Sequence, residues 1–134
     1  MTRNDDAGKL IVRLAVGILI LLHGISKLGS GVGGIAGMLA SHGLPTGIAY
    51  LVYIGEIVAP VLLIVGIFTR PAAIVVAINM LFAFSLAHMS QLATLGKTGG
   101  WALELQGMFL FAAMAIAFLG AGRFSIGGVA GKYN

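Results

Sequence analysis

Long apolar runs alternate with short polar breaks along this chain, and the breaks mark where its elements begin and end. The first run extends from Leu10 to Leu28 and is interrupted by Arg13, His23, Ser26 and Lys27. A helix needs about 20 mainly apolar residues to span a bilayer, so this run predicts a first span over residues 10–28. Arg3 and Lys9 ahead of an apolar stretch also suit a signal peptide. No small-residue cleavage site follows, however, so the run is read as an uncleaved span. Residues 29–46 are glycine-rich and include Gly43-Leu44-Pro45, a stop followed by a turn; within them, residues 35–40 predict a short interfacial helix. Gly29, Gly33 and Gly37 carry GxxxG spacing, but in a loop. From Gly47 to Leu92 the chain is mainly apolar, with Glu56, Asn79 and His88 inside it, and its break falls at Phe68-Thr69-Arg70-Pro71. Proline starts helices and restricts the residue before it, so a hairpin at Thr69-Arg70 should separate spans over about 48–68 and 71–92. Pro60 should kink the first of these. A polar turn carrying Lys97 leads to a fourth span over about 101–120, with Trp101 placed as an interfacial aromatic. Residues 1–6 and the tail 123–134 are polar and are read as lying outside the spans.

The expected architecture is therefore all-α: one domain over residues 1–134, a four-transmembrane-helix bundle with a short interfacial segment between helices 1 and 2. Composition agrees, with 59% hydrophobic and 9% charged residues in 134. A soluble domain of this size leaves roughly 40% of its unfolded surface exposed and cannot hide so much apolar area. Arg3, Lys9, Arg13, Arg70, Arg123 and Lys132 fall on one side of the bundle, and Lys27 and Lys97 on the other. The side richer in Lys and Arg is expected to be cytoplasmic, which puts both termini inside a plasma membrane. The basic residues are scattered beside apolar runs, which gives no nucleic-acid footprint. With no cysteine, the chain has no disulfide, thiolate metal site or redox CxxC pair.

Once the spans are placed, sequence position sets depth. At 1.5 Å per helical residue, His23 lies roughly 20 Å from the cytoplasmic helix end, Lys27 and His88 roughly 26 Å, Glu56 roughly 18 Å and Glu104 roughly 24 Å. All four helices thus carry an ionisable group into the outer half. A charge at such depth costs about 2.5–3.5 kcal/mol on insertion scales, so these groups should face each other or water. The set His23, Lys27, Glu56, His88 and Glu104 can bind a polar head group, relay protons or hydrogen-bond a quinone's carbonyls. Lys27 and Glu104 also suit snorkelling from helix ends, and His88 an interfacial position. A paired haem ligation by His23 and His88 has no further motif behind it. Glu56 stands apart, deep in an apolar helix. Arg13 is expected to snorkel to lipid phosphate, Arg70 in the hairpin to be a positive-inside anchor, and Asn79 to bond between helices. No P-loop, dinucleotide fingerprint or HExxH is present, and no metal site or resident cofactor is expected.

Taken in order, Arg13-Leu14-Ala15-Val16-Gly17, His23-Gly24-Ile25-Ser26-Lys27-Leu28, Gly43-Leu44-Pro45, Glu56, Gly66-Ile67-Phe68-Thr69-Arg70, Trp101 with Glu104, and Gly122-Arg123-Phe124-Ser125 give a pattern that resembles the DoxX family of small four-helix membrane proteins. The resemblance covers nearly the whole chain. Ala121 and Ile126-Gly127 depart from it, where family members often carry a proline and an aspartate. The family takes its name from a small subunit of a membrane thiosulfate:quinone oxidoreductase, and relatives are associated with redox complexes and oxidative-stress responses. The resemblance implies an integral membrane subunit of a redox assembly, an accessory part rather than a self-sufficient enzyme, with quinone as the candidate cofactor and a redox subunit or a second copy as partner. The alternatives are a small oligomeric proton-coupled carrier using Glu56 and Lys27, or a non-enzymatic membrane scaffold.

Overall fold

A computed structural model describes residues 3–31, 33–87, 95, 99–100 and 104–134, with only the backbone described at Lys27 and a few other helical positions. Among the described residues the chain is helical and contains no strand. Helix α1 spans Arg3–Ser30 and α2 spans Gly33–Ser41. A second long helix runs Gly47–Val65. It opens as a 3-10 turn (Thr46–Leu51), widens to a π turn (Ile54–Val58), and ends as α3, Ala59–Val65. Helix α4 is Thr69–Ala87 and α5 is Glu104–Leu119. Two stretches, Asn4–Ser26 with 23 residues and Gly47–Val65 with 19, are long and apolar enough to cross a membrane; the apolar helices Thr69–Ala83 and Glu104–Leu119 are shorter.

The long elements pack as a closed ring: α1 on α3, α3 on α4, α4 on α5, and α5 back on α1. The core consists of Val16, Ile20, Leu63, Val76, Met80, Leu110 and Ile116, with alanines at the seams. Ala73 and Ala113 are fully buried; small residues at such seams let backbones approach and gather dispersion contacts. Large apolar side chains such as Ile11, Leu22, Ile78, Phe111 and Phe118 point outward instead. The glycines of the 29/33/37 series meet nothing, whereas a Cβ at Gly17 would lie 2.8 Å from Ile64 Cγ1 and one at Gly24 would strike the Glu56 carbonyl. The close helix contact therefore lies at Gly17 and Gly24, seven residues apart on one face of α1, and not at the GxxxG series.

Three element boundaries differ from the sequence expectation, each for a local reason. The 47–65 helix stops at Gly66, whose φ of 77° lets it cap left-handed, with the Gly66 and Ile67 N–H groups donating to Leu62 O. Thr69 and Arg70 are then the first residues of α4 and not the hairpin tip, which Pro71 permits because the first turn needs no donor from it. The amides they leave open are taken by the chain's tail: Thr69 N and Oγ1 donate to Asn134 Oδ1 at 3.2 and 2.8 Å, and Arg70 N donates to Tyr133 O at 3.1 Å. Likewise α1 begins at Arg3, because Asp6, Lys9 and Arg13, spaced three and four apart, form a buried stripe under that tail.

Residues 120–134 thus form an ordered cap over one end of the ring. Arg13 does not reach outward to phosphate. It is 1% exposed, and its Nη1 and Nη2 donate to Ala121 O at 2.7 Å and Phe124 O at 2.8 Å. Asp6 Oδ1 accepts from Arg123 N, and its Oδ2 lies 3.8 Å from Arg123 Nε. Ile126 N and Gly127 N donate to Val65 O and Gly66 O, and Ala121 N to Asn134 O. Arg70 ties α4 to α5: its Nη1 donates to Ala117 O and Phe118 O, closing the carbonyl end of α5.

Candidate functional site

The site begins with Pro60. A proline has no N–H to donate to the residue four before it, and its ring crowds that residue's carbonyl. Here that residue is Glu56. The helix relaxes into the π turn over Ile54–Val58, with Ala59 N donating five residues back to Ile54 O. Such turns are rare and recur at functional sites. The Glu56 carbonyl lies against Gly24 of α1. The kink expected at Pro60 is this widened turn, and it displaces Glu56 and Gly55 toward the neighbouring helices.

Glu56 is 6% exposed. Its Oε1 accepts a hydrogen bond from Asn79 Nδ2 of α4 at 3.3 Å, a long bond for an amide donor. Gly55 beside it leaves the room Asn79 needs: a Cβ there would lie 2.7 Å from Asn79 Cγ. The interhelical bond expected of Asn79 is therefore made, and its acceptor is the deeply placed carboxylate.

Asn79 also forms part of the wall of a groove of about 280 Å³ between α2, the 47–65 helix and α4. Leu39 and Val75 line its inside, and Leu51, Ile54, Ile78 and Phe82, all well exposed, stand at its rim. Asn79 is its polar side chain, with Glu56 behind. Helix α2 contributes Leu39, fully buried against the start of the 47–65 helix. The short segment expected between the first two long helices is therefore one wall of the groove.

The outer-half set is partly dispersed among the described residues. His23 is exposed, with its ring edge-on to Phe109 of α5 at 6.1 Å and 81°. Glu104 is exposed in the first turn of α5, where its charge suits the helix N-terminus, and its carboxylate folds over Gly100. His88 and Trp101 lie outside the described residues, as does the side chain of Lys27. Of the candidate residues, the structure joins Glu56 with Asn79. Sequence reasoning missed the groove residues Leu39, Val75, Ile78 and Phe82, which look like any other apolar positions. Gly55 and Gly24 flanking the Glu56 turn were a usable signal, as was Pro60 four residues after Glu56.

The DoxX family profile matches residues 8–89, a stretch that contains most of α1, the groove, Glu56 and Asn79. The Bacillus subtilis (strain 168) protein named "Putative oxidoreductase CatD" is 31% identical over 83 residues, covering 62% of this chain and 61% of that relative. The match thus spans about three fifths of the relative's own length. No solved structure matches the chain. With the matched profile covering more than half of its residues, the chain belongs to the DoxX family of membrane proteins.

Proposed function

We propose that this chain is the membrane subunit of an oxidoreductase assembly and presents a quinone site in the groove beside Asn79 and Glu56. The observation that carries the reading is the combination of a buried carboxylate, set in a π turn, with an apolar groove whose polar wall is that carboxylate's partner. Ligand sites are typically apolar concavities with a few placed polar groups, and about 300 Å³ is the lower end of their range. The groove volume suits a quinone ring and the start of its isoprenoid tail, with the remainder in lipid. Asn79 Nδ2 has a second hydrogen to offer a ring carbonyl, and Glu56 can hold or pass a proton through its carboxylate. A bound quinone would supply the electron acceptance that the side chains of this chain lack. The oxidoreductase name of the Bacillus relative supports the redox class, and the absence of cysteine supports a partner that carries the electron-donating centre.

This reading takes the chain as a four-span bundle in the plasma membrane with both ends cytoplasmic. The closed ring of helices and the gathering of six of the eight Lys and Arg residues on the capped side support it. Affinity purification from native membranes in mild detergent tests the assembly. A stoichiometric oxidoreductase subunit should co-purify, and Glu56→Gln should lower the assembly's quinone-linked turnover while leaving its composition unchanged. Purification of the chain alone, or unchanged turnover in Glu56→Gln, would overturn the reading.

A further inference from the structure

The cap over residues 120–134 has a second face, which the hydrogen bonds to the helix ends do not use. We propose that this face is a docking surface for the anionic lipid headgroups of the leaflet that the cap adjoins. The proposal needs the chain to lie in a membrane but is independent of the quinone reading.

Depth is the first argument. The cap is bonded to Val65 and Gly66 at the end of α3, to Thr69 and Arg70 at the start of α4, and follows directly from the end of α5. Three helix ends therefore hold it at the level where the apolar spans stop. There it exposes Ile126 (73%), Val129 (68%) and Tyr133 (59%). The last turn of α5 exposes Phe118 and Leu119 immediately before it, so the apolar surface of the helix runs on into the cap.

Charge is the second argument. Residues 105–134 contain Arg123 and Lys132 and no carboxylate side chain. Each cation lies over an aromatic neighbour: Arg123 Cζ is 5.0 Å from the Phe124 ring centroid, and Lys132 Nζ is 5.1 Å from that of Tyr133. Asp6, the counter-ion of Arg123, is buried beneath it, and the Arg123 side chain remains 53% exposed. A cation held over a ring at the end of an apolar helix places its stem and ring against acyl chains and its charge among phosphates. A basic residue near an anionic leaflet gains about fivefold in lipid affinity.

The absence of cysteine makes the test direct, because Val129→Cys creates a unique labelling site. The full chain, carrying a fluorophore at that position, is reconstituted in phosphatidylcholine vesicles containing a small fraction of headgroup-spin-labelled phosphatidylglycerol or phosphatidylcholine. The label should be quenched by both, and well over fivefold more by phosphatidylglycerol, because Arg123 and Lys132 each contribute about fivefold. Adding Lys132→Gln should lower that preference by about fivefold. Lys132 stacks on Tyr133 and holds no helix end, so a matched melting curve in phosphatidylcholine should show the variant folded. Millimolar inorganic phosphate should leave the preference intact. Equal quenching by the two lipids, no quenching by either, a preference unmoved by Lys132→Gln, or its loss to free phosphate would each overturn the proposal. No quenching would indicate a surface for a water-soluble partner, and loss to free phosphate a simple anion site.

Discussion

Replacing Arg13 with methionine should release the cap and leave the helical ring standing. Methionine keeps most of the apolar stem and removes both bonds to the cap, those at 2.7 and 2.8 Å to Ala121 O and Phe124 O. Hydrogen bonds from a charged donor are worth about 1.5–3 kcal/mol each. Against them stand the several kcal/mol needed to desolvate a buried ion and the Nε of Arg13, which is buried without a hydrogen-bond partner among the described residues. The balance leaves a net loss of about 1–3 kcal/mol, which should fall on the cap because both acceptors belong to it. Amide hydrogen exchange reads this locally. The amides of Ala121, Ile126 and Gly127, bonded to Asn134 O, Val65 O and Gly66 O, should lose protection by about 5- to 150-fold, using 1.36 kcal/mol per decade. Amides around Ala73 and Val76 in α4 should hardly change. Unchanged exchange in the cap would show that Arg13 does not hold it. An equal loss throughout α4 and α5 would show that the cap is not a separate unit.

Gly24→Ala and Gly37→Ala form a matched pair for detergent melting curves. The first forces a Cβ against the Glu56 carbonyl and Ile57 and should cost about 1–3 kcal/mol as overpacking; the second meets nothing and should be neutral or stabilising by up to about 1 kcal/mol. Equal effects would contradict the placement of the close contact. Thr69→Val keeps shape at a fully buried position and removes the 2.8 Å bond to Asn134 Oδ1. It should cost about 1 kcal/mol in chemical denaturation, and no loss would dismiss that bond as a clamp. Glu56→Gln should fold with unchanged or raised melting temperature, because the amide is nearly isosteric and sheds a buried charge. A sharp loss of stability would instead make Glu56 a structural group.

Much of the fold could be read from proline, glycine and hydropathy. Pro60 announced the distortion, and its missing N–H points to the residue four before it, Glu56, which lies in the π turn. Position along each helix axis follows from the constant rise per residue. Direction around the helix does not: each residue turns the side chain by about 100°, so a boundary error of a few residues loses the azimuth. That is why His23, placed by depth beside Glu56, packs its ring on Phe109. The cap was illegible for a different reason. Its bonds to Arg13 and Arg70 are accepted by backbone carbonyls, which every residue carries, so no side-chain pattern marks the acceptors. The polar tail reads as lying outside the spans and Arg13 and Arg70 as orientation signals, although they form one hydrogen-bonded unit.

The central claim is that a quinone occupies the groove against Asn79, in front of Glu56. The direct measurement is photo-cross-linking of the purified chain in nanodiscs with an azido-quinone, followed by peptide mapping. Labels should fall on the 51–55 and 75–79 stretches, should be competed away by unlabelled quinone, and should drop in Asn79→Leu. Labelling confined to α1 and α5 near His23 and Phe109, or labelling that unlabelled quinone does not displace, would contradict the account.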